Sequence, residues 1–140
     1  MKRIIFMGAS GSGKTTLCRR LAKQNLKYIK TQAIEFYDDS IDTPGEYMEN
    51  RHYYSALTVT AADADVIGLV ADGTRDMHYL PPGFAAMFAK EVIGIITKVN
   101  LAENTDCAEA ALKSAGASLI FKVDTPADTG IQKLISYLEE

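Results

Sequence analysis

Apolar positions along this chain recur at two periods, and the switches between them predict an alternation of buried strands and amphipathic helices. Short apolar or β-branched runs fall at residues 3–7, 34–37, 65–71, 92–97 and 119–123, each of a length suited to a strand covered on both faces. Leu17, Cys18 and Leu21 make a helical stripe after the first run, and Ala108, Ala111, Leu112 and Ala115 make another after Asn104. Asp106 with Glu109 three residues on reads as the capping box of that second helix. Ile131, Leu134, Ile135 and Leu138 repeat the i, i+3, i+4, i+7 pattern and predict a final amphipathic helix. The expectation is an α/β fold, one domain over residues 1–140, with a mostly parallel sheet and helices on both faces. Ligands of such sheets sit at the carboxyl ends of the strands, so the chemistry is expected in the loops after Met7, Ile41, Ala71 and Thr97.

Composition narrows the partners. With 140 residues, 47% of them hydrophobic, the chain can bury the core of one domain. Its formal net charge of -3 leaves no excess of cations for a phosphodiester backbone or an anionic bilayer, so neither nucleic acid nor membrane is an expected partner. The opening apolar run stops at Gly8, short for a secretory h-region, and no segment nears the roughly 20 apolar residues of a membrane span. The two cysteines, Cys18 and Cys107, lack any CxxC spacing and are expected as reduced thiols packed on helices in a cytoplasmic protein. His52 and His78 are isolated and read as structural or surface residues. Tyr47, Tyr53 and Tyr54 read as packing for the segment after Gly45, and Tyr28 as packing or the edge of a nucleotide site.

Gly8-Ala9-Ser10-Gly11-Ser12-Gly13-Lys14-Thr15 fits G-x-x-x-x-G-K-[ST] at every position. An apolar strand precedes it and an amphipathic helix follows, so backbone N–H groups and a helix N-terminus would converge on phosphate oxygens. Side chains at the glycines would fill that concavity or forbid a positive φ. Lys14 would bring a charge to the β- and γ-phosphates, and Thr15 a hard oxygen for Mg²⁺. The expected nucleotide contacts run from Gly8 to Thr16. A second element, Ser40-Ile41-Asp42-Thr43-Pro44-Gly45, ends a short apolar run on an acid. Asp42 would hold Mg²⁺ through water, and the Gly45 N–H would reach the γ-phosphate.

These two segments, with Thr97-Lys98-Val99-Asn100 after an apolar strand, resemble the ordered motifs of Ras-like GTPases. More narrowly, residues 30–36 (KTQAIEF), 42–51 (DTPGEYMENR), 54–57 (YSAL), 61–70 (AADADVIGLV) and 82–84 (PGF) resemble the EutP/PduV family of ethanolamine and propanediol utilisation, across essentially the whole chain. The resemblance implies a Ras-like P-loop domain encoded beside bacterial microcompartment enzymes, with Thr31 as the switch threonine on Mg²⁺. It also implies Lys98 and Asn100 at the base, phosphoryl transfer to acetate on the EutP side, and association with shell proteins on the PduV side.

The base site departs from the family pattern. Asn100 stands where that pattern has aspartate, and an amide meets the two donors of guanine with one acceptor and one donor group. Asp124-Thr125 ahead of Pro126 replaces the usual second base motif, so ATP and GTP both stay open. Glu46 occupies the place of a water-orienting glutamine, which predicts slow hydrolysis; Lys14, Gly45 and Glu46 are the expected catalytic residues. Arg51 and Arg75 are the candidates for an internal arginine finger. Three functions follow: a Mg²⁺-dependent triphosphatase switch, an acetate kinase-type phosphotransferase, and a shell-associated interaction module.

Overall fold

The computed structural model describes residues 2–9, 11–22, 35–36, 40–76, 78 and 80–140, with only the backbone described at residues 35, 36 and 46. Among these residues six strands form one sheet: β1 (Ile4–Gly8), β2 (Glu35–Phe36), β3 (Ser40–Asp42), β4 (Val66–Asp72), β5 (Glu91–Thr97) and β6 (Ile120–Lys122). Their order is β2-β3-β1-β4-β5-β6, all parallel except β2, which runs antiparallel to β3 at the edge. Among the described residues the α-helices are α1 (Lys14–Leu21), α2 (Glu46–Glu49), α3 (Tyr54–Ala61), α4 (Asp106–Ala115) and α5 (Ile131–Glu139).

The strand period of two divides the core. Ile4 and Phe6 of β1 point to one side, where Leu17, Cys18 and Leu21 of α1 and Ile131, Leu134 and Leu138 of α5 cover them. Ile5 and Met7 point to the other, against Leu57 and Ala61 of α3 and Ala108, Leu112 and Ala115 of α4. Every residue of β1 and β4 is buried, which is why these strands read as unbroken apolar runs rather than alternating ones. The doubly covered, mostly parallel sheet agrees with the sequence reading.

Three details differ from it. Of the segment 34–37, the described residues Glu35–Phe36 run antiparallel, while Ser40–Asp42 forms a separate strand directly beside β1; Ile34 and Tyr37 lie outside the described residues. Helix α3 was not signalled by periodicity, since its Thr58-Val59-Thr60 stretch is β-branched. Its threonine hydroxyls bond back to the carbonyls of Tyr54 and Ala56, and Leu57, Thr60 and Ala61 supply its buried face. The expected capping box is also absent. Asp106 is already the first residue of α4 and its N–H is taken by Asn104 Oδ1 at 3.2 Å, while Glu109 is drawn to Lys122 at 2.8 Å.

Both cysteines are free thiols, but only Cys18 is buried; Cys107 is exposed on α4 instead of packed. Tyr47 and Tyr53 stack at 4.8 Å, and Tyr54 meets Phe84 edge-on at 5.2 Å, so the aromatic cluster does pack the segment after Gly45. His52 is exposed beside Tyr53, and His78 is half-buried. Tyr28 lies outside the described residues. Among the described residues no helix is long and apolar enough to cross a membrane.

Candidate functional site

The sheet order reverses at β1. The chain leaves β1 for β3 on one side and later returns to β4 on the other, which opens a crevice beyond the carboxyl end of β1. The loop from Gly8 to Gly13 fills that position and feeds α1. Its glycines are there for space and for backbone sign: a Cβ on Gly8 would come within 2.5 Å of the Val70 carbonyl, and Gly13 has φ +103°.

Lys14 opens α1 and folds back over the loop. Its Nζ donates to the carbonyls of Gly8 at 2.7 Å and Ala9 at 2.9 Å, and more weakly to Ser12 Oγ at 3.4 Å. With 5% of the residue exposed, burial pushes its pKa from 10.5 down to about 8, although Asp42 and other neighbours pull it back up. An ammonium held this way is short of compensating charge, the condition that favours an incoming anion.

Beside it, Thr15 Oγ1 donates to Asp42 Oδ2 at 2.5 Å across 27 residues of sequence. Asp42 closes β3 and is fully buried; β3 brings it there by pairing Phe6 with Asp42. A hydroxyl and a carboxylate this close suit a hard divalent cation, with water and phosphate oxygens completing its shell. Among the described residues no group of three or more His, Cys, Asp and Glu side chains exists to hold a metal without such help. The next residue, Thr43, anchors the turn through its hydroxyl to the Phe6 carbonyl at 2.7 Å. Gly45 is buried and its carbonyl accepts from Met48 and Glu49 in α2. Glu46 begins α2, with its side chain outside the described parts, and Ser10 and Thr31 lie outside the described residues. Thr16 sits half-buried in the first turn of α1.

The loop after β5 braces the same structure from the far side. Thr97 donates to the Ser12 carbonyl at 2.6 Å. Lys98 adopts the left-handed region at φ 58°, a conformation that costs about 1 kcal/mol or more for such a residue and survives only where neighbours hold it. Here the holders are the Gly11 carbonyl at 3.0 Å and Asp72 Oδ2 at 2.7 Å. Asn100 is exposed, and its Nδ2 donates to Thr129 Oγ1 at 3.1 Å. Lys98 and Asn100 are thus set around the loop after β5, with Asp124 and Thr125 buried close by in sequence to Thr129.

Asp72 was not singled out by any motif, yet it is the hub of this side. It is 2% exposed and accepts from Lys98 and from the Thr74 N–H and hydroxyl. Burial alone would raise its pKa, but those hydrogen bonds outweigh it and hold the carboxyl below its usual range. The available signal was its place, an acid at the carboxyl end of a seven-residue apolar strand.

The model of the family described as ethanolamine utilisation and propanediol utilisation matches residues 1–140. The chain belongs to the PduV–EutP family. It is 40% identical over 140 residues to the propanediol utilization protein PduV of Citrobacter freundii, covering 99% of this chain and 93% of that one. It is 34% identical over 142 residues to the protein named "Probable acetate kinase EutP" in Escherichia coli K12, covering 99% and 89%. The protein of the same name in Salmonella typhimurium gives the same identity and coverage.

Proposed function

We propose that this PduV–EutP family member binds a nucleoside triphosphate in the loop from Gly8 to Thr15 and catalyses loss of its γ-phosphoryl group. The observation that carries this reading is Lys14: a buried ammonium with a depressed pKa, folded onto the carbonyls of a glycine loop at the N-terminus of α1. Successive N–H groups of the loop and the Lys14 charge would bind the polyphosphate. Thr15 and Asp42 would hold Mg²⁺, which when bound neutralises charge on the β- and γ-phosphates. Thr97 and Lys98 keep the loop in shape through its own carbonyls, so the cradle is preorganised rather than assembled on binding. Gly45, just before α2, and Glu46 are the residues of that side that would face the transferred group, and Thr31 would complete the cation's ligands.

Turnover is slow in this account, because a carboxylate at Glu46 adds repulsion near the γ-phosphate. Its role is then that of a switch, in which the triphosphate orders the segment after Gly45 for a partner such as a microcompartment shell protein. A second reading rests on the names of the EutP relatives: the same clamp would transfer the phosphoryl group to acetate, giving acetyl phosphate. The two are separated by incubating the purified protein with Mg²⁺ and ATP or GTP, with and without acetate, while following nucleoside diphosphate and acetyl phosphate. Acetate-independent, Lys14-dependent release supports the switch; acetate-dependent acetyl phosphate supports the kinase; absence of any nucleotide binding overturns both.

A further inference from the structure

Arg75 follows β4 by three residues and turns back across the phosphate loop. A methyl group built on Gly11, whose φ is +76°, would lie 2.8 Å from Arg75 Nη2, so the guanidinium rests directly on that residue. Asp72 holds the other side of the group, with Oδ2 at 3.4 Å from Arg75 Nε. The same carboxylate oxygen receives Lys98, which in turn grips the Gly11 carbonyl. Gly11 is therefore fixed from below by Lys98 and covered by Arg75, and both cations are aimed through one buried acid.

Arg75 against Gly11 and Lys14 on the carbonyls of Gly8 and Ala9 bring two cations to one loop. An anion bound at that loop would be attracted by both. A guanidinium is suited to that anion because its planar N–H fork matches phosphate oxygens and stays charged. Arg51, the other candidate, is exposed on the turn 51–53 after α2, as Arg75 is on its own loop; what sets Arg75 apart is the place of its guanidinium against Gly11.

We propose that Arg75 is a built-in arginine that contacts the phosphate chain over Gly11 and stabilises the charge that develops during γ-phosphoryl transfer, with Asp72 as its positioning residue. The inference rests on the nucleotide reading above. In the step, an oxygen lone pair of water or of a carboxylate forms the new bond to phosphorus. The bond from phosphorus to the bridging oxygen breaks, and its electron pair leaves on the nucleoside diphosphate. With water as nucleophile, its proton passes to solvent; Arg75 donates hydrogen bonds throughout and gives up no proton. The arginine thus supplies from within the chain what some phosphoryl-transfer proteins receive from a partner.

The test uses the full chain with Mg²⁺ and ATP or GTP, in four forms: wild type, Arg75→Ala, Arg75→Lys and Arg51→Ala. Arg75→Ala should lower turnover by about 100-fold or more, the loss expected for one donor at a developing charge, while nucleoside diphosphate affinity stays within about threefold. Arg75→Lys should recover part of the rate, and Arg51→Ala should match wild type. Wild type should bind nucleoside diphosphate with aluminium fluoride, a mimic of the transferring group, more tightly than diphosphate alone, and Arg75→Ala should lose that increment. Full turnover in Arg75→Ala, or equal loss of diphosphate binding and rate, overturns the inference while the nucleotide reading stands. A wild-type chain that binds no nucleotide overturns both.

Discussion

Replacing Lys14 by methionine keeps most of the side chain's length and removes its charge. In the native chain burial takes the Lys14 pKa from 10.5 to about 8, against the opposing pull of Asp42. At about 1.4 kcal/mol per pKa unit, keeping the charged form in the loop costs the nucleotide-free fold on the order of 3 kcal/mol. Between about pH 8 and 10.5 the unfolded chain binds this proton while the folded chain has released it. Native stability therefore rises with pH through that window, and the cost is present in full at pH 7. Lys14→Met should accordingly be more stable than the native protein at pH 7, by about 1 to 3 kcal/mol once the lost hydrogen bonds to the loop are deducted. That lead should shrink by roughly 3 kcal/mol on moving to pH 11. Urea denaturation of both proteins in parallel reads the difference directly, because other titrating groups are common to the two. A variant less stable than the native chain at pH 7, or a difference that does not move with pH, would refute the idea that this ammonium is stored at a cost to folding.

Two further substitutions probe the loop and the base. Gly8→Ala should lower stability by about 1 to 3 kcal/mol in thermal or urea melts, since the new methyl would press on the Val70 carbonyl and separate β1 from β4; an unchanged melt would show that the strands yield there. Asn100→Asp should shift nucleotide preference toward GTP by about 10- to 100-fold, because a carboxylate accepts both guanine donors where the amide accepts one. Competition of ATP against GTP for the two proteins checks this, and an unchanged ratio would remove Asn100 from base reading.

The parts of the fold that were legible share one property: their local pattern and their tertiary role agree. Residues 4–8, 66–72 and 91–97 are long enough to register as strands, and α1 and α5 bury the faces that their periodicity marks. The loop from Gly8 to Gly13 was readable because its residue types answer local demands, a positive φ at Gly13 and a close approach at Gly8. By contrast, β3 is three residues long, too short for a period, and exists because β1 offers it an edge. Helix α3 forms against its β-branched composition because the sheet covers Leu57 and Ala61. Asp72 was hidden for another reason, and Arg75 was named only as one of two arginines near the loops, with nothing in the sequence to choose between them. The place of each depends on a contact made across the loop, with Lys98 after β5 for Asp72 and with Gly11 for Arg75, and no spacing along the chain encodes such a meeting. Asp42 lay between these extremes: its type suggested a cation ligand, but only the pairing of β1 with β3 brings it to Thr15.

The most direct measurement is a calorimetric titration of ATP and of GTP into the native chain and into Lys14→Met, each with and without Mg²⁺. The account predicts saturable binding of at least one nucleotide by the native chain, strengthened by Mg²⁺ and weakened at least about tenfold by the substitution, the loss expected for a charged hydrogen bond. Equal affinity in the two proteins, or no binding of either nucleotide to the native chain at millimolar concentration, would contradict it.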